Sequence, residues 1–174
     1  MLSNVDYMNL ILNNFCLSLF TLAVLFILLH KIIVRGRVRS DENVYRWMAL
    51  FPLGVGCIYL FILQVFYPEI PMIEQIWPES PYQFQVGMAD LAIGITAILS
   101  FNASYGFRLA TVMISVVFLM GSAYPHLYPI VTQPTYQGII MHMGKMESWL
   151  WMNDLVLPLV MFLCMNSLSR QPKP

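Results

Sequence analysis

With 174 residues, 59% of them hydrophobic and only 10% charged, and a mean hydropathy of +0.68, the chain falls outside the range of soluble domains, where about 25% of residues are charged. Nine Lys and Arg balance nine Asp and Glu, and no interleaved basic and aromatic surface is present, which argues against a nucleic-acid partner. The composition is that of an integral, multi-pass membrane protein whose first partner is the lipid bilayer.

Five apolar stretches are long enough to cross about 30 Å of hydrocarbon at about 1.5 Å per residue. They lie near 10–32, 47–66, 83–100, 109–130 and 148–166, and the expected fold is an all-α bundle of five transmembrane helices forming one domain over 1–174. The first stretch has no positive residue before it and no small-x-small site after it, so it is expected to be a span and not a cleavable leader. "KIIVRGRVRSDENVYR" follows, a basic loop holding Lys31, Arg35, Arg37, Arg39 and Arg46. In the second span Pro52, Gly54 and Gly56 are expected to bend and pack the helix. The next loop, "YPEIPMIEQIWPESPY", carries Glu69, Glu74 and Glu79 and no Lys or Arg.

Arg108 lies in the loop after the third span, Lys145 in the loop after the fourth, and Arg170 and Lys173 close the chain. By the positive-inside bias the N-terminus is expected outside and the C-terminus in the cytoplasm. Trp47, Trp77, Trp149 and Trp151 stand at span ends, as interfacial anchors do. Cys16, Cys57 and Cys164 are isolated in apolar runs without a C-x-x-C, which excludes a thiol redox motif and points to buried small hydrophobes. "MADL" in the third span and "MNDL" in the fifth hint at a parallel repeat of two helices.

Polar residues inside spans are where function is expected. Asp90 sits in "QFQVGMADLAIGITAIL", about two turns from the start of the third span, and Asp154 at a similar depth in the fifth. His126 lies about one turn from the far end of the antiparallel fourth span, and Asn13 and Asn14 reach a comparable level in the first. Gly87, Asp90 and Gly94 share one helix face, and small residues mark the face that looks into a bundle. Thr111, Ser115, Ser122 and His126 form a stripe on the fourth span. Pro125 removes the donor for the carbonyl of Gly121, and Pro158 that for the carbonyl of Asp154.

The expectation is a polar pocket in the outer half of the bilayer lined by Asp90, His126 and Asp154, supported by Gln83, Ser122 and Asn153. Two readings of it stand. The side chains staple helices by hydrogen bonds, or they bind a proton, a cation or a small polar group. A carboxyl–imidazole set can exchange protons near neutral pH, which suits transport or acid–base chemistry. Met141, His142, Met143 and Met146 in "MHMGKMESW" form a weaker, copper-type candidate, so no metal site is assigned. There is no H-E-x-x-H, P-loop, nucleophile elbow or dinucleotide fingerprint, and no cofactor is indicated.

The run from "SPYQFQVGMADLAIG" through "FRLATVM" and "GSAYPH" to "NDLVLP" resembles a family of small prokaryotic membrane proteins known only as a domain of unknown function. The matching positions are Ser80, Pro81, Gln83, Gly87, Ala89, Asp90, Leu91, Arg108, Ala110, Gly121, His126, Asp154 and Pro158. Asp90 stands where that family's pattern has Asn, and Pro125 where it has Gly. The resemblance implies a multi-helix fold in the cytoplasmic membrane of a bacterium or archaeon, and no reaction. A transporter, a membrane-embedded enzyme acting on a lipid, quinone or isoprenoid, and a non-catalytic subunit of a larger membrane complex all stay open. So does a homo-oligomer.

Overall fold

The computed structural model describes residues 14–34, 38–67, 82–132 and 148–170, and the side chains of all of these except 125–132 and 148–151. Five helices are long and apolar enough to cross a membrane. We label them α1 (Phe15–Ile33), α2 (Ser40–Phe66), α3 (Gln83–Leu99, ending in a 3₁₀ turn at Ser100–Asn102), α4 (Tyr105–Thr132) and α5. The last is a π-helical stretch over Ser148–Val156 that runs directly into an α-helix over Leu157–Ser169.

Among the described residues each span sits within a few residues of its expected place, with one informative exception; the expected start of the first span, 10–13, lies outside them. The second was expected from residue 47, but α2 begins at Ser40. Asp41 and Glu42 in the first turn complement the positive end of the helix dipole, and Asn43, Tyr45 and Met48 bury one face. A charged stretch read as loop is therefore the polar first turns of a longer helix. The helical backbone of α4 likewise continues past Pro125 to Thr132.

Pro52 and Gly54 fall inside a π-helical segment of α2, Ala49–Val55. Its glycine lies in close backbone approach to α3. A Cβ built on Gly94 of α3 would lie 2.8 Å from the Gly54 carbonyl oxygen and 3.1 Å from the Ile58 backbone nitrogen. One on Gly87, two turns back, would lie 2.8 Å from Val65. Close backbone approach through small residues is how helices associate where lipid removes the hydrophobic drive between them. The core continues from this seam through Leu53, Ile93, Ala97, Leu119, Leu157 and Met161. Leu25, Ile32, Ile33, Ile114 and Val117 are more than half exposed, a large apolar girdle of the kind a bilayer covers.

One end of the bundle is tied by polar side chains. Arg108, at the start of α4, is 6% exposed. It pairs with Glu42 of α2 at 3.0 Å, donates from Nε to the Ser100 carbonyl and from Nη2 to the Phe101 carbonyl, and lies over the Tyr45 ring. Glu42 also pairs with Arg46 at 2.8 Å, and the Tyr45 hydroxyl donates to Ser100 Oγ at 2.9 Å. Ser167 of α5 donates to Asp41, which is also held by Arg39. Asn43 brings in α1: its Nδ2 donates to the Ile27 carbonyl, and its Oδ1 accepts from His30 and from Trp47 Nε1. Trp47 thus does more than anchor an interface, since its ring also packs against Phe26, Phe51 and Phe101.

Candidate functional site

Toward the opposite end, roughly 30 Å along α2 from Glu42, α3 presents Asp90 to the interior. Gly87, Asp90, Ile93, Gly94 and Ala97 are the buried positions of α3, and Asp90 itself is 1% exposed. The glycines on its face bring α2 so close that Gln64 reaches across and donates from Nε2 to Asp90 Oδ2 at 3.0 Å. Cys57, fully buried about two turns earlier on the same face of α2, is an electrostatic neighbour of the same carboxyl. The free, buried cysteines are as expected, and this one also has a polar neighbour.

Asp154 approaches from α5. Its side chain lies in the same electrostatic neighbourhood as Asp90, Cys57 and Cys16. Asn153, 2% exposed, donates from Nδ2 to Asp154 Oδ1 at 3.1 Å. Both residues stand in the π-helical stretch that ends just before Pro158. Such stretches are rare and recur at functional sites. Proline has no N–H, so it leaves without a helical donor the carbonyl of Asn153 in π register, or that of Asp154 in α register.

Asp90 and Asp154, the two acids expected to share a site, are each held by an amide. Among the described residues no hydrogen bond joins them. None of the described salt bridges involves either acid, and the paired arginines Arg39, Arg46 and Arg108 all belong to the other end. Four buried side-chain atoms here lack a hydrogen-bond partner: Asp90 Oδ1, Gln64 Oε1, Asn153 Oδ1 and Gln83 Nε2. Unpaired polar atoms inside a protein are costly, and a cluster of them calls for an explanation.

Ser122 contributes less than expected. Its hydroxyl donates to the Phe118 carbonyl of its own helix, as Thr111 does to Phe107 and Ser115 to Thr111. Short hydroxyl side chains in helices commonly bond back in this way. The His126 side chain lies outside the described residues, as do Asn13, Met141, His142, Met143 and Met146. Among the described residues no three His, Cys, Asp or Glu side chains form a group able to hold a metal ion.

Gln64 and Cys57 were not singled out from the sequence. Their spacing of i, i+7 puts both on one face of α2, and a lone Gln in an apolar helix is the signal that marks it.

The model of a family of unknown function, DUF6790, matches residues 13–174. The chain belongs to this family. No curated protein and no solved structure matches it. The DUF6790 match spans every residue of the site and of the polar end described above. Membership agrees with the resemblance seen in the sequence. It brings no reaction with it, so the chemistry of this DUF6790 protein has to be read from the residues themselves.

Proposed function

We propose that this DUF6790 protein binds a proton or a cation between α2, α3 and α5, with Asp90 and Asp154 as the ion-holding groups, and carries that ion in the course of transport. One observation supports the reading above the others: two acids from separate spans lie within reach of each other's charge, and no described basic side chain offsets them. A carboxylate inside a membrane costs about 3 kcal/mol on insertion scales, and a second nearby raises that cost. A proton or a bound cation removes it. Gln64 staples α2 to α3 through one Asp90 oxygen, but the other, Oδ1, is buried without a partner, which stapling alone does not require.

In this reading the membrane is the cytoplasmic membrane of a bacterium or archaeon, and the arginine-rich end faces the cytoplasm. The Arg108 cluster closes the cytoplasmic side, and the ion enters from the other side past Gln83.

The test uses proteoliposomes with the pH-sensitive dye pyranine trapped inside, under an imposed potassium–valinomycin potential, with and without a sodium gradient. Wild-type protein is expected to change the internal pH. Asp90→Asn and Asp154→Asn are each expected to slow that change by at least about tenfold, while Arg170→Gln, at the exposed end of α5, leaves it intact. Absence of both internal pH change and ²²Na⁺ uptake in the wild type, or flux in both Asp variants equal to that of the wild type, would overturn the proposal.

A further inference from the structure

We infer that Gln64 of α2 is the positioning residue of this site and turns over when the site fills. Its side-chain amide gives Asp90 its NH₂ while that acid is an empty carboxylate, and its oxygen when the acid carries a proton or cation. The inference rests on the reading of Asp90 just given, and goes beyond it by naming the group that responds to the ion.

Asp90 is held by a neutral amide and not by a fixed charge. A lysine or arginine can only donate, and so suits the empty carboxylate alone. Another carboxylate suits only a positive occupant. A glutamine carries two N–H donors and a carbonyl acceptor on one planar group, so it suits both. Here Nε2 donates to Asp90 Oδ2 at 3.0 Å, while Oε1 is buried without a partner. A buried acceptor left idle is costly. Half a turn about the Cγ–Cδ bond exchanges the two ends of the amide, and that torsion is broad and roughly two-fold. After it, Oε1 accepts from the O–H of a protonated Asp90 or coordinates a cation seated on the acid. Asn153 repeats the pattern at Asp154: Nδ2 donates to the acid, and Oδ1 is buried and idle.

The packing leaves Gln64 free for this role. α2 and α3 are already joined by the close approach of Gly94 to Gly54 and of Gly87 to Val65, so the polar contact is not needed to hold the seam. Gly87 also stands beside the amide. A Cβ there would lie 3.4 Å from Gln64 Cβ and 3.6 Å from Oε1, so a side chain longer than a methyl would crowd the space in which the amide turns. Among the described side chains the titratable neighbours of Asp90 are Cys57 on α2 and Asp154 on α5, with Cys16 of α1 an electrostatic neighbour of Asp154. Neither α1 nor α4 brings a described charged side chain to this end. None of these groups supplies a positive charge, and Gln64 provides the described nitrogen donor to Asp90.

The test compares donor-only and acceptor-only replacements in proteoliposomes that report internal pH by pyranine and sodium by ²²Na⁺ uptake. Gln64→Lys holds the empty carboxylate and offers the ion no acceptor, so it is expected to raise the half-saturating ion concentration by at least about tenfold. Gln64→Glu offers the ion a second carboxylate, so it is expected to lower that concentration by at least about tenfold and to slow the maximal rate as release becomes harder. A merely structural contact would move both variants in the same direction. The wild type is read directly by infrared difference spectroscopy with ¹³C at the glutamine side-chain carbonyls. When the site fills, by a pH step or by NaCl in place of choline, a glutamine carbonyl band is expected to move to lower frequency as Oε1 gains a partner. That shift is expected to be absent in Gln64→Met and in Asp90→Asn. An unmoved glutamine band in the wild type, or the same direction of change in Gln64→Lys and Gln64→Glu, would overturn this inference. If transport is still lost in the Asp variants, the Asp90–Asp154 reading then stands without it. Absence of both proton and sodium transport in the wild type removes the two together. The wild-type spectrum decides the matter even where a variant fails to fold.

Discussion

Gly94→Leu is expected to abolish the folded bundle, with no monodisperse peak on size exclusion in detergent and no cooperative melting. The obstruction is backbone. A first side-chain carbon at 94 would already lie 2.8 Å from the Gly54 carbonyl oxygen and 3.1 Å from the Ile58 nitrogen, and neither can rotate aside. An alanine there should cost about 1–3 kcal/mol as ordinary overpacking does, and leucine considerably more. Because Gln64 reaches Asp90 across this same seam, Gly94→Ala should weaken ion binding even where the protein still folds. Gly121→Leu supplies the contrast, since nothing lies within 4 Å of a Cβ at that position. Its Tm should be close to that of the wild type. Equal stability of Gly94→Leu and the wild type would contradict the close approach of α2 and α3.

Arg108→Gln should lower stability by about 3 kcal/mol, toward the lower end of the 3–5 kcal/mol typical when one partner of a buried ion pair is removed. The arginine side chain is 7% exposed but Glu42 is 25% exposed, so solvent relieves part of the penalty. Two carbonyls, Ser100 and Phe101, lose their donors at the same time. Lysine cannot reproduce the fork that serves Glu42 and both carbonyls, so Arg108→Lys should recover only part of the loss. Combining Arg108→Gln with Glu42→Gln should cost less than the sum of the two, as for groups in direct contact. Arg39, paired with Asp41 but 38% exposed, is the control, and Arg39→Gln should change stability by less than about 1 kcal/mol. The measurement is thermal unfolding of each variant in the same detergent. A neutral Arg108→Gln would show that the polar end does not lock the bundle.

Hydropathy and helical spacing carried the fold a long way. Span positions follow from apolar length alone, and the inward aim of Asp90 follows from glycines three residues before it and four after. The start of α2 was missed because charge was read as loop, although Ser40, Asp41 and Glu42 are good residues for a helix N-terminus. Arg108 was read as a topology marker. Its burial depends on α3 ending at Ser100–Asn102 and offering free carbonyls to it, which spacing within one helix cannot reveal. The same limit applied at the site. The pairing of Asp90 with Gln64 joins residues on different helices, and only the packing angle set by Gly54 and Gly94 brings them together.

Infrared difference spectroscopy of the protein in lipid, recorded on exchanging sodium for choline and again on stepping the pH, reads the carboxyl groups themselves. The expected result is a carboxylate difference band on ion exchange that disappears in Asp90→Asn and changes shape in Asp154→Asn, while Glu42→Gln leaves it in place. Spectra insensitive to both sodium and pH, or unchanged by both Asp substitutions, would mean that these two acids hold no ion.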